Sequence, residues 1–137
     1  MTKHLEYLEE DGIHIFKWYS ANRRAVDTWI QWMNHIMIRD GHMGHILMDF
    51  SESELPPVRY MSLQIRRWLT RHVPPEKASK VAVVYPQGNM PFLIVSRSYS
   101  ATLGRGRPTN IAFFAGDQVD DAYDWLYHHM GQNTSGV

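Results

Sequence analysis

Alternating apolar and polar positions open the chain, and a helical spacing of apolar residues follows them. Residues 4–8 and 13–18 both have a β-like pattern, and the Asp11-Gly12 pair between them is typical of a hairpin turn. Over residues 20–39 the apolar side chains recur every three or four positions, which is the period of a helix with one buried face. We expect Ser20 to cap this helix and Gly41 to end it.

The rest of the chain alternates short apolar runs with helical patterns. Three uninterrupted runs predict strands that are covered on both faces: residues 46–48, 81–85 and 111–114. Each run precedes a helical pattern, and these patterns begin near Val58, after Asn89 and at Asp117. Gly131 is expected to end the last helix and to leave residues 132–137 as a disordered tail.

This order of elements predicts one α/β domain over residues 1–131. Strands that are separated by helices favour right-handed crossovers and a parallel sheet, while the hairpin adds an antiparallel strand. The predicted fold is therefore a mixed, mostly parallel five-stranded sheet with an N-terminal β-hairpin and four main helices.

Composition narrows the class of protein. The chain has 137 residues, of which 44% are hydrophobic, and this suits one compact domain. Its 14 basic and 14 acidic residues balance, which is not typical of a nucleic-acid binder. The chain has no cysteine, so disulfides, thiolate metal sites and cysteine nucleophiles are excluded. It also lacks an apolar run of about 18 residues and a signal-peptide core, so we expect a cytoplasmic protein with no membrane span.

Several segments are similar to one known family. Residues 46–50, 81–84 and 111–114 resemble the central strands of the SpoIIAA-like family, a branch of the STAS fold. Residues 120–126, with their aspartates, alanine and tryptophan, resemble the helix with which members of that family end. The resemblance implies a STAS-like fold. It also implies a relationship to CRAL-TRIO lipid-binding domains, and hence the capture of an apolar small molecule.

The family also includes the anti-anti-sigma factors, which switch partners when a serine in an Asp-Ser-Ser-Gly segment is phosphorylated. The corresponding region of this chain, residues 51–62, contains no such motif. This difference counts against a phosphorylation switch. A regulatory partner-switching role through Ser51, Ser53 or Ser62 is kept as an alternative function.

Open α/β sheets bind ligands beyond the carboxyl ends of their strands. Polar residues follow the predicted strands there, and tryptophans lie on the two neighbouring helices. The candidate ligand-binding residues are Asp49, Ser51, Tyr85, Asn89, Trp32 and Trp68. The alternative interpretation is structural: the polar groups support loops and cap helices, and the tryptophans belong to the core.

Charge is unevenly distributed along the chain. Residues 57–107 contain nine basic residues and one acidic residue, Glu76. Candidate residues for binding an anion or a partner are Arg59, Arg66, Arg67, Arg105 and Arg107. The alternative is that these arginines form the solvated face of a helix or complement a helix C-terminus.

Histidines and serines do not form a recognisable catalytic pattern. His42 and His45 are separated by only two residues, and His128 and His129 are adjacent, but no further ligand follows at a recognised spacing, so we predict neither a metal site nor a cofactor. Whether His42 and His45 bind a metal is left open. No nucleophile elbow or phosphate loop is present. A small enzyme that uses Asp49 or His45 as an acid or base is the second alternative.

The sequence thus favours a non-enzymatic cytoplasmic binding or interaction module. We expect a homodimer, and we expect its partner to be a small apolar or amphipathic ligand or a regulatory protein.

Overall fold

Five strands and four helices make up the protein in a computed structural model, which describes residues 4–20, 22–41, 44–72, 79–103 and 109–135. The strands are β1 (Leu5–Glu10), β2 (Ile13–Trp18), β3 (His45–Asp49), β4 (Ser79–Tyr85) and β5 (Thr109–Ala115). The helices are α1 (Arg23–Asp40), α2 (Val58–His72), α3 (Met90–Leu103) and α4 (Val119–Ser135). Over these ranges, no helix combines the length and the apolar character that crossing a membrane requires.

The five strands lie in the sheet in their chain order. β1 runs antiparallel to β2, and the pairs from β2 to β5 are all parallel. The connections through α1, α2 and α3 each lead from one parallel strand to the next one along the sheet, always in the same direction. Because such connections share one hand, α1, α2 and α3 lie on one face of the sheet. α4 returns over the other face and packs against β3, β4 and β5. The predicted fold class is confirmed.

The hairpin between β1 and β2 has the turn that its sequence predicts. Glu10 pairs with Ile13, which leaves Asp11 and Gly12 as a two-residue loop. Both loop residues have positive φ, 52° at Asp11 and 82° at Gly12. This conformation gives the twist that favours tight hairpins, and aspartate and glycine are among the residues that adopt it at least cost.

The N-cap of α1 differs from the one predicted. Asn22, rather than Ser20, caps the helix, because its side chain accepts a hydrogen bond from the Ala25 amide at 2.8 Å. At the other end, the predicted stop at Gly41 is confirmed. Gly41 has φ 78°, and its amide donates to the Met37 carbonyl at 2.8 Å.

The last helix is longer than its sequence predicts. A single 3-10 turn, Gly116–Gln118, precedes α4, and the helix continues to Ser135 instead of ending at Gly131. An internal glycine costs a helix about 1 kcal/mol relative to alanine, so it does not by itself force an end.

Each face of the sheet has its own core. The core beneath α1, α2 and α3 is rich in large aromatic rings, whereas the one beneath α4 is mostly aliphatic. The aromatic core includes Phe16, Trp18, Trp29, Phe50, Trp68 and Phe92. The second core is formed by Ile13, Ile15, Leu47, Ala82, Val84, Ala122 and Leu126.

Candidate functional site

The loops that follow β3, β4 and β5 meet at the carboxyl edge of the sheet, as the crossover pattern predicts. Asp49 Oδ1 accepts a hydrogen bond from the Ser51 amide at 2.9 Å, which folds the loop after β3 back on itself. A Cβ atom on Gly116 would lie 3.3 Å from the Gln87 nitrogen and 3.5 Å from the Ser51 Cβ. The absence of a side chain at Gly116 therefore lets the three loops approach one another.

Several polar side chains at this edge already have structural partners. Asn89 caps α3, since its Oδ1 accepts from the Phe92 amide at 3.1 Å. Gln87 Nε2 donates to Asp117 Oδ2 at 3.3 Å, and Lys17 Nζ lies 2.9 Å from Glu52 Oε2. These contacts favour the interpretation of the edge as loop supports and helix caps. A ligand role for Asp49, Ser51 and Asn89 stays a prediction.

The two candidate tryptophans do not lie in these loops. Trp68 is almost fully buried in the aromatic core. It lies about 15 Å along α2 from the start of that helix, because each residue of an α-helix adds about 1.5 Å. Trp32 stacks on the ring of Tyr7 in β1, with centroids 4.4 Å apart. Tyr85, by contrast, ends β4 at the same edge as Asp49, since Val84 pairs with Asp49, and its partly buried side chain packs against the aromatic core. The structure therefore brings Asp49, Ser51, Tyr85 and Asn89 to one edge of the sheet and places Trp32 and Trp68 elsewhere.

Two buried indole groups in the aromatic core carry unsatisfied donors. Trp18 stacks on Phe50 at 5.0 Å between centroids and contacts the ring of Trp29 at 5.9 Å. Among the described residues, the Nε1–H groups of Trp18 and Trp29 have no hydrogen-bond acceptor. A buried donor without an acceptor costs about 1–3 kcal/mol, so ring packing has to outweigh that cost.

Tyr123, which lies on α4 and packs against the second core, makes the stability of the protein sensitive to alkaline pH. Burial, followed by the negative charges of Glu10 and Asp49, raises the pKa of its phenol. The neutral phenol is thus favoured in the folded state, and its contribution to stability is complete below the unfolded pKa of about 10 and is lost as the pH rises through the higher folded value. We expect the urea midpoint to fall between pH 8 and pH 11, and to fall less in Tyr123→Phe. An equal fall in both proteins would contradict this assignment.

A second polar cluster lies where β1, β2 and the end of α1 meet. His14 is buried on β2, its Nδ1 shares a hydrogen bond of 2.8 Å with Tyr7 Oη, and its Nε2 lies 3.7 Å from Asp40 Oδ2. Arg39 Nη2 donates to Glu9 Oε1 at 3.0 Å and to Asp40 Oδ2 at 2.9 Å, and Arg39 Nε donates to Asp40 Oδ1 at 2.8 Å. We call these five residues the His14 cluster.

Sequence reasoning missed the His14 cluster. One signal was present: in a hairpin with a two-residue loop, Tyr7 and His14 lie on neighbouring strands and point to the same face. Burial and the charge of Glu9 raise the pKa of Tyr7, while the hydrogen bond and charge of Arg39 act against this rise. The position of Asp40 depends on the length and direction of α1, which the local pattern does not give.

The outer surfaces of α2 and α3 form a basic and apolar region. Arg59, Arg66 and Arg67 are exposed on α2, and Arg97 is exposed on α3 with its guanidinium above the Phe113 ring. Within the described ranges, Arg59, Arg66 and Arg67 have no ion-pair partner. Arg105 and Arg107, which were predicted to join them, lie outside the described residues.

The predicted histidine pair is described only in part. His45 is the partly buried first residue of β3, and His42 lies outside the described residues.

Comparisons with known proteins give no family for the chain. No protein-family model matches it, and searches of curated proteins and of solved structures found no match.

Proposed function

We propose that this protein is a non-enzymatic interaction module that docks an acidic segment of another protein. The docking surface is the α2–α3 face, defined as Arg59, Leu63, Arg66, Arg67, Met90 and Ile94. The observation that carries the proposal is the charge of these helices. α2 and α3 contain no aspartate or glutamate, and three exposed arginines of α2 have no ion-pair partner in the described part of the chain.

Exposed apolar side chains lie among these arginines. Leu63 is 44% exposed, Met90 53% and Ile94 61%. Both helices begin at the carboxyl edge of the sheet and pack side by side, so the first turns of α2 and α3 are neighbours. Arginines beside exposed apolar groups are typical of protein interfaces, because the guanidinium pairs with carboxylates in a bidentate manner and also packs on apolar surface.

Charge complementarity favours a partner other than a second copy. The exposed acidic residues of this chain include Asp117, Asp120, Asp121 and Asp124, which lie in or just before α4 on the opposite face of the sheet. A two-fold dimer through the α2–α3 face would place arginines against arginines. Pairing the basic face of one copy with the acidic face of another would be head-to-tail and would not close into a two-fold dimer. The predicted homodimer stays a prediction.

The position of the aromatic residues favours a protein over a membrane surface. Membrane-surface helices use large aromatic and aliphatic side chains as anchors in the headgroup region. Here Trp18, Trp29 and Trp68 are buried in the aromatic core. Leu63, Met90 and Ile94 are the large apolar side chains exposed on the α2–α3 face within the described residues.

The test uses a fluorescein-labelled synthetic peptide in which glutamate and leucine recur with helical spacing. We expect the full chain to bind it in fluorescence anisotropy, with an affinity that falls as salt is raised. Arg66→Glu should weaken binding at least tenfold, and Leu63→Gln should also weaken it. Arg24→Glu is the matched control, because it makes the same charge change on exposed α1 surface and should leave the affinity within twofold.

Three results would overturn the proposal. Arg24→Glu could weaken binding as much as Arg66→Glu, or a peptide with lysine in place of glutamate could bind equally well. Phosphatidylserine vesicles could bind in an Arg66-dependent manner while the peptide does not, which would indicate a membrane surface. Light scattering coupled to gel filtration could show that Arg66→Glu converts a dimer into a monomer, and the α2–α3 face would then join copies of this chain.

The other functions predicted from the sequence stay predictions, as does the cytoplasmic location. For the partner-switching alternative, the three serines differ in accessibility. Ser62 is 8% exposed on α2, so a kinase would reach it only if that helix moved, whereas Ser51 and Ser53 lie on the loop after β3. The binding of a small apolar ligand, the enzyme alternative and the SpoIIAA-like resemblance stay predictions in the same way.

A further inference from the structure

Three side chains of the His14 cluster that are of types able to ligate a metal ion come together from three different elements. Glu9 lies on β1, His14 on β2 and Asp40 at the end of α1, and one ligand atom from each lies within 4.8 Å of the others. Both carboxylates are exposed and the imidazole is buried. The cluster therefore combines a fixed nitrogen with two oxygens that reach the surface.

The spacing of the imidazole and one carboxylate already suits a small divalent ion. Ligand atoms at about 2.1 Å from a tetrahedral zinc ion lie about 3.4 Å from each other. His14 Nε2 and Asp40 Oδ2 are 3.7 Å apart, which is within a few tenths of an ångström of that value. Glu9 is an exposed side chain on the edge strand β1, so a small rotation of its carboxylate can complete the set.

Tyr7 holds the imidazole in an orientation that suits a metal ligand. Tyr7 Oη lies 2.8 Å from His14 Nδ1, and in the tautomer in which Nδ1–H donates to Oη, the Nε2 atom, 3.7 Å from Asp40 Oδ2, carries no proton and can bind a metal ion. A cation between Nε2 and the Asp40 carboxylate would be bound by both. Metal-binding histidines commonly use their second nitrogen in a hydrogen bond of this kind, which fixes the tautomer and the ring.

In the structure, the positive charge between the Glu9 and Asp40 carboxylates is supplied by Arg39. Its guanidinium bridges Glu9 and Asp40, and its side chain is 42% exposed, so it can swing into solvent. It holds one positive charge against two carboxylates, whereas a divalent ion would balance both of them. Arg39 and a metal ion would therefore compete for the same oxygens.

We propose that Glu9, His14 and Asp40 form a site for a divalent cation of the zinc type, with Arg39 as a competing internal cation. One nitrogen and two oxygens suit Zn²⁺ better than Mg²⁺ or Ca²⁺, which prefer all-oxygen sites. Three protein ligands leave a fourth position open for water or another small ligand. The site is separate from the α2–α3 face, so it does not depend on the proposed function.

The test is a calorimetric titration of the full chain with zinc chloride. We expect one zinc equivalent per chain, and long-range nitrogen NMR should show a shift of His14 Nε2 as zinc is added. Asp40→Asn should weaken binding at least tenfold. Arg39→Gln should tighten it several-fold, because it removes the competing cation; a purely structural ion-pair network would not produce this gain.

Further variants separate the site from adventitious binding. His35→Gln removes an exposed histidine of α1 outside the cluster and should leave zinc affinity unchanged. His14→Gln should abolish binding, and since His14 is buried, circular dichroism checks that this variant folds. The proposal fails if Asp40→Asn binds zinc as tightly as the unmodified chain. It also fails if Arg39→Gln gives no increase in affinity, or if neither the unmodified chain nor Arg39→Gln binds zinc at millimolar concentration.

Discussion

Trp18→Ala should lower the free energy of unfolding by about 3–5 kcal/mol, as large-to-small changes in well-packed cores do. Trp18 is fully buried at the end of β2, stacks on Phe50 and contacts Trp29, and Phe50 in turn contacts Phe92. These rings come from β2, the loop after β3, α1 and α3. Removing the indole therefore leaves a cavity where four parts of the fold meet. Urea denaturation at neutral pH measures the loss.

Trp18→Phe separates packing from the unsatisfied indole donor. Phenylalanine keeps most of the ring contacts and removes the Nε1–H group, which has no acceptor among the described residues. We expect it to cost less than about 1.5 kcal/mol, because the smaller ring is partly offset by loss of the buried donor. Ile38→Ala is the surface control: Ile38 is 77% exposed on α1, and its loss should stay within about 0.5 kcal/mol.

Equal destabilisation by Trp18→Phe and Trp18→Ala would contradict this account. That result would mean that the indole N–H makes an interaction as valuable as the ring packing, and the aromatic core would need a polar component at this point.

The sheet was predictable because its strands have the strongest local signals in the chain. Residues 81–85 and 111–114 are uninterrupted apolar runs, and strands with both faces covered need such runs. Asp11-Gly12 selects a tight hairpin turn almost by itself. Helix ends were less predictable: Ser20 and Asn22 are both good N-caps, and the choice between them depends on where the chain leaves β2.

The His14 cluster was not predictable in the same way, because its residues meet through tertiary structure. Asp40 reaches His14 only because α1 runs the length of the sheet and ends beside the start of β2. By contrast, the basic character of the α2–α3 face was visible in the sequence, since charge composition does not depend on folding. What the sequence could not give was the exposure of Leu63 and Ile94 between those arginines.

Leu126→Ala should lower the free energy of unfolding by about 2–5 kcal/mol. Leu126 is fully buried in α4 and belongs to the core on the second face of the sheet, with Ile15, Leu47 and Val84. In the described part of the chain, α4 is the helix that covers this face. The packing of α4 onto the sheet therefore depends on a few side chains of this helix, and Leu126 is among the largest side chains that are fully buried.

The loss of local stability should be concentrated in α4, because Leu126→Ala does not alter the aromatic core on the other face of the sheet. Hydrogen exchange should show faster exchange of α4 amides in Leu126→Ala, while amides of α1 keep their protection. Asp124→Ala is the matched control on the exposed side of the same helix and should change stability by no more than about 0.5 kcal/mol. A loss within that range for Leu126→Ala would mean that α4 contributes little to the fold. A loss of protection shared equally by α1 and α4 would mean that the two cores unfold as one unit.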